Sequence, residues 1–475
     1  MQLTDLFPGA PAIDIRALAY DNRLVEPGAL FFCVPGFTSD GHDFAPDAAG
    51  RGAAALIVER ELDHVDIPQV KVNSVRAAMA HAAAVFYGDP TAALKTVGVT
   101  GTNGKTTSAF LVRALLEADG RQAGLLGTVK SVIGGVEHDV QRTTPEAIDL
   151  QHTFREMLDA GDQACVMEVS SHALELRRAD AIHFAAAIFT NLTQDHLDFH
   201  PTMEDYFRAK RRLFKPPLTP KASIVNVDDP YGARLAAEID APITFALHDP
   251  DAHYRAVAVH SSLSGSTFTA ETPDGPIELR SPLRGEFNVY NVLGALAAAR
   301  ALGVPAETCR RAIAEAGQVP GRFETVDAGQ TFAVVVDYAH TPDSLDNVLR
   351  AARDLTEGSL HVVFGCGGDR DRGKRPQMGE IAARLADHVI VTSDNPRSED
   401  PEAIIAEILT GISGTVDHEV DRKTAIARAL RSAEAGDVVV IAGKGHEQGQ
   451  EFEHGRKLPF DDVTVARDIL RGTVG

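Results

Sequence analysis

The sequence predicts an α/β protein of three domains: a small N-terminal α/β domain, a central phosphate-loop domain with a parallel sheet and added antiparallel hairpins, and a C-terminal, doubly wound, Rossmann-like domain. Three observations predict it. The chain has 475 residues, too many for a single compact core, so two to four domains are expected. A glycine-rich stretch, TGTNGKTT at 100–107, stands between a strand-like run and a helical one. Apolar strand-like runs then alternate with helical ones through the last third, as in a parallel sheet covered on both faces.

The first segment, residues 1–90, holds strand candidates at ALFFCV and AALIVE with loop chemistry at VPGFTSDGHDF, and ends where Gly88, Asp89 and Pro90 interrupt an Ala-rich helix. Residues 91–322 alternate strand and helix, except that 243–285, with Ser/Gly/Thr turns and short alternating runs, are expected to form antiparallel hairpins. A break at VPGRFE opens the last segment, 323–475. There FAVVVDYAH, LHVVFGCGG, HVIVTSDNP and DVVVIAGKGHE read as strands, with helices between them. Ligands of such sheets gather beyond the strands' carboxyl ends. Those ends are where the unusual polar residues fall: Asp337 and His340, Gly365 to Arg372, Asp394 to Arg397, and Gly443 to Glu447.

Composition narrows the function. With 44% hydrophobic and 24% charged residues and a formal net charge of −21, no basic patch offers itself to nucleic acid or to an anionic membrane surface. Local anion binding is still open to it. Four scattered cysteines, Cys33, Cys165, Cys309 and Cys366, suit a reducing compartment and read as small core residues. MQLTDLFPGAP lacks a basic and apolar leader, and no apolar stretch reaches the roughly 20 residues of a membrane span. A cytoplasmic monomer is expected.

TGTNGKTT supplies the first chemistry. A glycine-rich turn into a helix aims backbone N–H groups at an anion. Lys105 then reaches terminal phosphates and the Thr106 hydroxyl ligates Mg²⁺ held on them. Gly101, Thr102, Asn103, Gly104, Lys105, Thr106 and Thr107 therefore form a nucleotide triphosphate site. The loop is a variant, because Val99 stands where the strict pattern has Gly. Glu168 closes VMEVSSHALE, and FTNLTQDHLDFH carries Asn191, Thr193, Asp195 and His196. Carboxylate, hydroxyl and imidazole at strand ends suit Mg²⁺, although helix capping explains Ser170, Ser171 and His172 equally well. Neither serine sits in a G-x-S-x-G elbow. By composition alone, Lys210 in YFRAKRRLF is one more solvated cation on a helix face.

Taken together, TGTNGKTT, EVSSH, TNLTQDHLDFH, YFRAKRRLF, NVYNVLGALAA, PGRFE, DYAHTPDSL and GGDRDRGKRP resemble the Mur ligase family, the ATP-dependent amide-bond ligases of peptidoglycan precursor synthesis, over essentially the whole chain. Within it, the likeness is strongest to the members that add the third amino acid to UDP-N-acetylmuramoyl-L-Ala-D-Glu. The resemblance implies a carbamylated Lys210 that helps hold Mg²⁺ with Thr106, Glu168 and His196. It implies nucleotide and active-site roles for Asn291, Arg322, Asp337 and His340, and contacts from Thr143, Thr144, Ser170 and Arg178 to the UDP-linked substrate. The stretch YDNRLVEPGALFFCVPG resembles the uridine-binding module, with Asn22 where relatives often have Ser. Leu176 stands where some have Gln. The chemistry implied is phosphorylation of the D-Glu carboxylate by ATP, followed by amine attack on the acyl phosphate.

SDNPRSEDP discriminates between the amino acids that could be added. Arg397 offers a planar fork to a carboxylate. Meso-diaminopimelate has a carboxylate and an amine at its far end, whereas L-lysine has the amine alone. DNPR is the signature of diaminopimelate-adding relatives, whose other amino-acid contacts match Arg370, Asp394, Asn395, Pro396, Gly443 and Glu447. Two rival readings stand beside this one. The SDNPRSEDP loop and the uridine-type segment count against a folylpolyglutamate-synthetase-like ligase. A nucleotide switch without catalysis would have no need of Lys210, His196, Arg322 and Asp337 together.

Overall fold

The computed structural model describes residues 1–37, 39–140 and 142–472; Thr38, within the expected loop VPGFTSDGHDF, lies outside them. The chain forms two compact units, the first of residues 1–100, 120–187 and 209–222, the second of 101–119, 188–208 and 223 onward.

The first unit opens with a parallel sheet of β1 (Ala17–Ala19), β2 (Ala29–Phe32), β3 (Ala55–Val58) and β4 (Gln69–Lys71), paired in that order. Both faces are covered, as parallel sheets require. Leu30, Phe32, Ala55 and Ile57 pack toward helix Val75–Phe86, while Phe31, Leu56 and Val58 fill the opposite side. The helix begins where the Ser74 side chain accepts from Ala77 N, an N-cap that satisfies one orphan donor. The unit continues with β5 (Lys95–Thr100), β6 (Ala123–Leu126), β7 (Ser131–Ile133), β8 (Val136–His138) and β9 (Ala164–Glu168). β9 lies between β5 and β6, parallel to both, and β6–β7–β8 form an antiparallel margin.

β10 (Phe184–Phe189) carries the chain from the first unit into the second, where β11 (Ser223–Asn226), β12 (Ile243–Ala246), β13 (Tyr254–Ser262), β14 (Gly265–Glu271) and β15 (Ile277–Ser281) follow. Antiparallel pairing was expected from residue 243 onward. It starts later, because β12 runs parallel to both β11 and β13 and only β13–β14–β15 are antiparallel. The Asp228 carboxylate explains the difference. It accepts from the backbone N–H groups of Leu247, His248 and Asp249, holding the chain after β12 in a compact return instead of a hairpin.

The C-terminal sheet comprises β16 (Glu324–Thr325), β17 (Ala333–Asp337), β18 (Leu360–Phe364), β19 (His388–Thr392), β20 (Asp417–Glu419) and β21 (Val438–Ala442), in the order β16-β17-β21-β18-β19-β20. Only β16 is antiparallel to its neighbour. Alternation within the valine-rich strands sorts the two faces. Val335, Val362, Phe364, Val391 and Val440 pack in one cluster, while Val334, Val336, Val363, Val439 and Ile441 pack in the other. A two-stranded hairpin of β22 (Gly449–Glu451) and β23 (Lys457–Pro459) follows.

Candidate active site

In the second unit the chain turns through Gly101–Gly104 into helix Lys105–Ala118. Gly101 has φ +151°, and a Cβ there would lie 1.8 Å from Thr190 Oγ1; Gly104 has φ +81°, with Asn291 Oδ1 2.3 Å from a Cβ. Glycine alone fits both positions. The segment after β10 buttresses the loop: Thr102 N donates to Asn191 O, Asn103 N to Asn191 Oδ1 and Thr190 Oγ1 to Asn103 O. The Thr102 and Tyr206 hydroxyls are 3.2 Å apart. Lys105 Nζ donates to the carbonyl oxygens of Gly101 and Thr102 at 3.0 and 2.7 Å. Thr107 is buried on the helix, and Asn291 Oδ1 accepts from Ser108 Oγ at 3.3 Å.

Arg322 joins this helix terminus to the C-terminal sheet. Its Nη2 donates to Thr106 Oγ1 at 3.0 Å, and its guanidinium carbon sits 4.4 Å from the Tyr338 ring centre. The buried Nε has no hydrogen-bond partner. A cation with an unused donor beside a helix N-terminus suits phosphate oxygens, so the residues present fit a nucleotide.

Asp337 closes β17, its Oδ2 accepting from Phe323 N at 2.6 Å. Burial lifts its carboxyl to about 6 against the pull of Arg322. His340 Nδ1 lies 2.7 Å from Tyr338 O, and burial with the nearby Lys374 depresses the imidazole to about 4, although Asp195 works the other way. The ring is therefore neutral at pH 7, with Nδ1–H donating to the carbonyl oxygen. Burial would raise Asp195, but His196, His340 and Lys374 hold it down to about 2. His196 Nε2 stands 3.4 Å from Asp195 Oδ2.

The ends of β19 and β21 and the hairpin β22 build a second polar cluster in the same unit. Asn395 Nδ2 donates to Glu447 Oε2 at 2.8 Å, and Tyr338 OH to Glu447 Oε1 at 3.4 Å. Gly443 N donates to Asp337 O at 3.1 Å. Burial raises Asp394 despite nearby Lys444. Arg397, at φ +51°, donates Nε to Glu451 Oε2 at 3.0 Å and Nη1 to Gly368 O at 2.8 Å. Pro396 O accepts from Glu399 N and turns the chain beside it. Arg370 does not join this cluster; it is exposed and donates to Asp369 O.

The residues expected to meet the UDP-linked substrate form a network in the first unit, apart from Asn22. Thr143 and Thr128 hydroxyls are 3.1 Å apart, Thr144 Oγ1 donates to Glu168 O at 3.0 Å, and Ser170 N donates back to Thr144 Oγ1 at 3.2 Å. Arg178 donates to Thr144 O at 3.1 Å and pairs with Glu146 at 2.8 Å. Ser170 is also the N-cap of Ser171–Glu175, the role that helix capping gave it in the sequence. Asn22 instead donates to Asp47 at 2.7 Å.

Lys210 is 1% exposed. The solvated-cation reading that composition alone favoured is therefore wrong: the helix turns this one cation inward, while Arg208 stays exposed. For Mg²⁺, the buried Glu168 carboxylate accepts from Thr128 N and Oγ1 at 2.8 and 3.1 Å, which leaves lone pairs for a cation or its waters. Among the described residues no group of three His, Cys, Asp or Glu is arranged to hold a metal ion by itself.

Sequence reasoning passed over Tyr338, Asp343, Lys444 and Glu451. Asp343 was visible within DYAHTPDSL. Its Oδ2 accepts from Asn103 Nδ2 at 2.7 Å and Thr193 Oγ1 at 3.2 Å, partners far away in sequence.

Comparison with known proteins accords with this geometry. Three family models match in order: Mur ligase family, catalytic domain, over residues 14–87; Mur ligase middle domain over 99–299; and Mur ligase, glutamate ligase domain, over 321–445. A UDP-N-acetylmuramoyl-L-alanyl-D-glutamate–2,6-diaminopimelate ligase of Bacillus velezensis is 47% identical over 460 residues, covering 95% of this chain and 94% of the relative. One from Streptomyces coelicolor is 47% identical over 476 residues, covering 97% and 94%. A solved structure of a ligase with that name superposes with a TM-score of 0.71 at 33% identity, covering 100% and 99% of the two chains. The MurF ligase of Thermotoga maritima in complex with ADP, at 20% identity and TM-score 0.65 over 97% and 99%, shares the fold. Matched in every segment, and across nearly its whole length by relatives close to half identical, the chain belongs to the Mur ligase family.

Proposed function

We propose that the protein is an ATP-dependent ligase that joins meso-diaminopimelate to the D-Glu carboxylate of UDP-N-acetylmuramoyl-L-Ala-D-Glu, giving the tripeptide, ADP and phosphate in peptidoglycan precursor synthesis. The observation that carries the reading is the bridge made by Arg322. It joins the phosphate loop at Thr106 to Tyr338 and thence to the Asn395–Glu447 cluster within one compact unit, an arrangement that supports nucleotide chemistry beside amino-acid recognition.

Gly101–Thr107 hold the nucleotide, with Lys105 and Arg322 neutralising phosphate charge. The D-Glu carboxylate attacks the γ-phosphorus, ADP leaves, and an acyl phosphate forms. The amine of diaminopimelate then attacks the acyl carbon, phosphate departs, and the nitrogen loses a proton. Fixed charges aimed at the transferring group supply most of the catalysis in such reactions. By the family resemblance, Thr106, Glu168, His196 and a carbamylated Lys210 would hold Mg²⁺, which would add charge neutralisation at the phosphates. Neutral His340 and the raised Asp337 carboxyl are the groups this reading sets beside the reacting carboxylate and amine. Thr143, Thr144, Ser170 and Arg178 receive the UDP-linked substrate, Arg397 the distal carboxylate and Glu447 the distal ammonium. The functional segments are 1–90, 91–322 and 323–475. The setting is cytoplasmic, and the enzyme a monomer; no helix among the described residues is long and apolar enough to cross a membrane.

The test is ATP-dependent phosphate release with UDP-N-acetylmuramoyl-L-Ala-D-Glu and bicarbonate, in parallel with meso-diaminopimelate, L-lysine or no amino acid. Release with diaminopimelate alone, and the tripeptide product by mass, is expected. Preference for lysine would remove Arg397 from its role, and release indifferent to amino acid would end the ligase reading.

A further inference from the structure

We infer that Lys444 is a positioning residue for the incoming amino acid, the buried cation that sets the Asn395 amide and the Glu447 carboxylate in the orientation their ligand meets. The inference rests on the diaminopimelate ligase reading. Lys444 follows Gly443 beyond the end of β21 and is 0% exposed. Its Nζ donates to Asn395 Oδ1 at 2.9 Å and to Glu447 Oε2 at 3.1 Å, with Asp394 Oδ1 at 3.9 Å. A buried ammonium persists only where anions and dipoles replace its water. Here they come from two separate strand ends, β19 and β21, so the cation locks one end to the other.

The lock has a direction. Asn395 Oδ1 receives two donors, Lys444 Nζ and the backbone N–H of Glu451 at 2.9 Å. Two donors converging on one atom make that atom the amide oxygen, whose two lone pairs they fill. The amide NH₂ is thereby turned toward Glu447 Oε2 at 2.8 Å. Glu447 Oε2 thus holds two donors, Asn395 and Lys444, while Oε1 faces the Tyr338 hydroxyl. Burial would raise the Glu447 carboxyl, yet Lys444 and Asn395 bring it below its ordinary value, so an anion faces the incoming ammonium. Without Lys444, one of the two donors that fix the amide is lost. Asp394 and Glu447 are then left in a buried site with no cation between them. Lys444 acts through Asn395 and Glu447 and has no need to touch the substrate.

The experiment compares Lys444→Met and Lys444→Gln with the unaltered enzyme by steady-state kinetics, varying each of the three substrates in turn. KM for diaminopimelate should rise tenfold or more in Lys444→Met and less in Lys444→Gln, whose amide can still donate to Asn395 Oδ1. KM for ATP and for the UDP-linked dipeptide should stay within twofold, and kcat at saturating diaminopimelate within about threefold. An unchanged KM for diaminopimelate, or a parallel loss toward all three substrates, overturns the inference, because a merely structural lysine would not single out one substrate. Should Lys444→Met fail to fold, Lys444→Gln carries the same criterion. Amino-acid-indifferent phosphate release by the unaltered enzyme would overturn the ligase reading itself, and the inference with it.

Discussion

Asp337 illustrates how a single side chain can be set against its surroundings. Burial raises its carboxyl from an ordinary 3.8 to about 6, so the native state binds that proton more tightly than the unfolded chain does. The stability this brings is complete below about pH 4 and is lost as pH rises through 6, at a cost of about 3 kcal/mol for two pK units. Asp337→Asn keeps an acceptor for Phe323 N and removes the charge. It should raise the urea midpoint more at pH 8 than at pH 4.5, while phosphate release collapses; an equal gain at both values would contradict the account. Arg397→Ala tests recognition. Loss of a charge-assisted pair worth about 1.5–3 kcal/mol should raise KM for diaminopimelate by one to two orders of magnitude, with ATP binding, measured by calorimetry, unchanged. The phosphate loop was legible because its chemistry is local, residue type and spacing within one turn, whereas Arg397 was assigned from its planar donor fork together with the DNPR resemblance. Lys444, Asp343 and Glu451 were not, because each takes its meaning from a partner 49, 240 or 54 positions away. Arg370, assigned only because it matches an amino-acid contact of relatives, remains outside the cluster, since a motif specifies a loop and not which of its side chains turn inward.

Among the elements, helix Lys374–Leu385 is held by an arginine near its first turn. The Arg375 side chain is 0% exposed, and donates to both oxygens of Glu399, to Glu407 and to Gly367 O. This ties the helix start to the loops beyond β18 and β19. Arg375→Met would remove the buried partner of two part-exposed carboxylates that keep Arg372 beside them, and the lost charge-assisted hydrogen bonds cost about 1.5–3 kcal/mol. Urea unfolding should show that loss with m-value unchanged, and a loss below 1 kcal/mol would mean water takes over the pairing. Strand existence was read correctly from apolar runs, because burial on both faces demands them. Orientation was harder: nothing within ITFA distinguishes a parallel strand from the first arm of a hairpin. The deciding carboxylate, Asp228, belongs to the preceding loop.

Over the whole molecule, the formal net charge of −21 makes compaction work against self-repulsion. Raising sodium chloride from 0.05 to about 0.5 M contracts the Debye length from above 10 Å to a few ångströms, and should raise the melting temperature by a few degrees. A fall instead would show that surface ion pairs such as Arg234–Glu204 outweigh the net repulsion.

The strand order of the C-terminal sheet also has a consequence for biosynthesis. β21 lies between β17 and β18, in register with Ala333–Asp337 on one side and Leu360–Val363 on the other, although it starts only at Val438, long after β17 ends at Asp337 and β18 at Phe364. A ribosome has therefore exposed both of those strands, each with an open edge, well before their common neighbour leaves the exit tunnel. The domain cannot close until β21 itself has emerged. During that interval the nascent chain presents two valine-rich edges to whatever chaperones attend it.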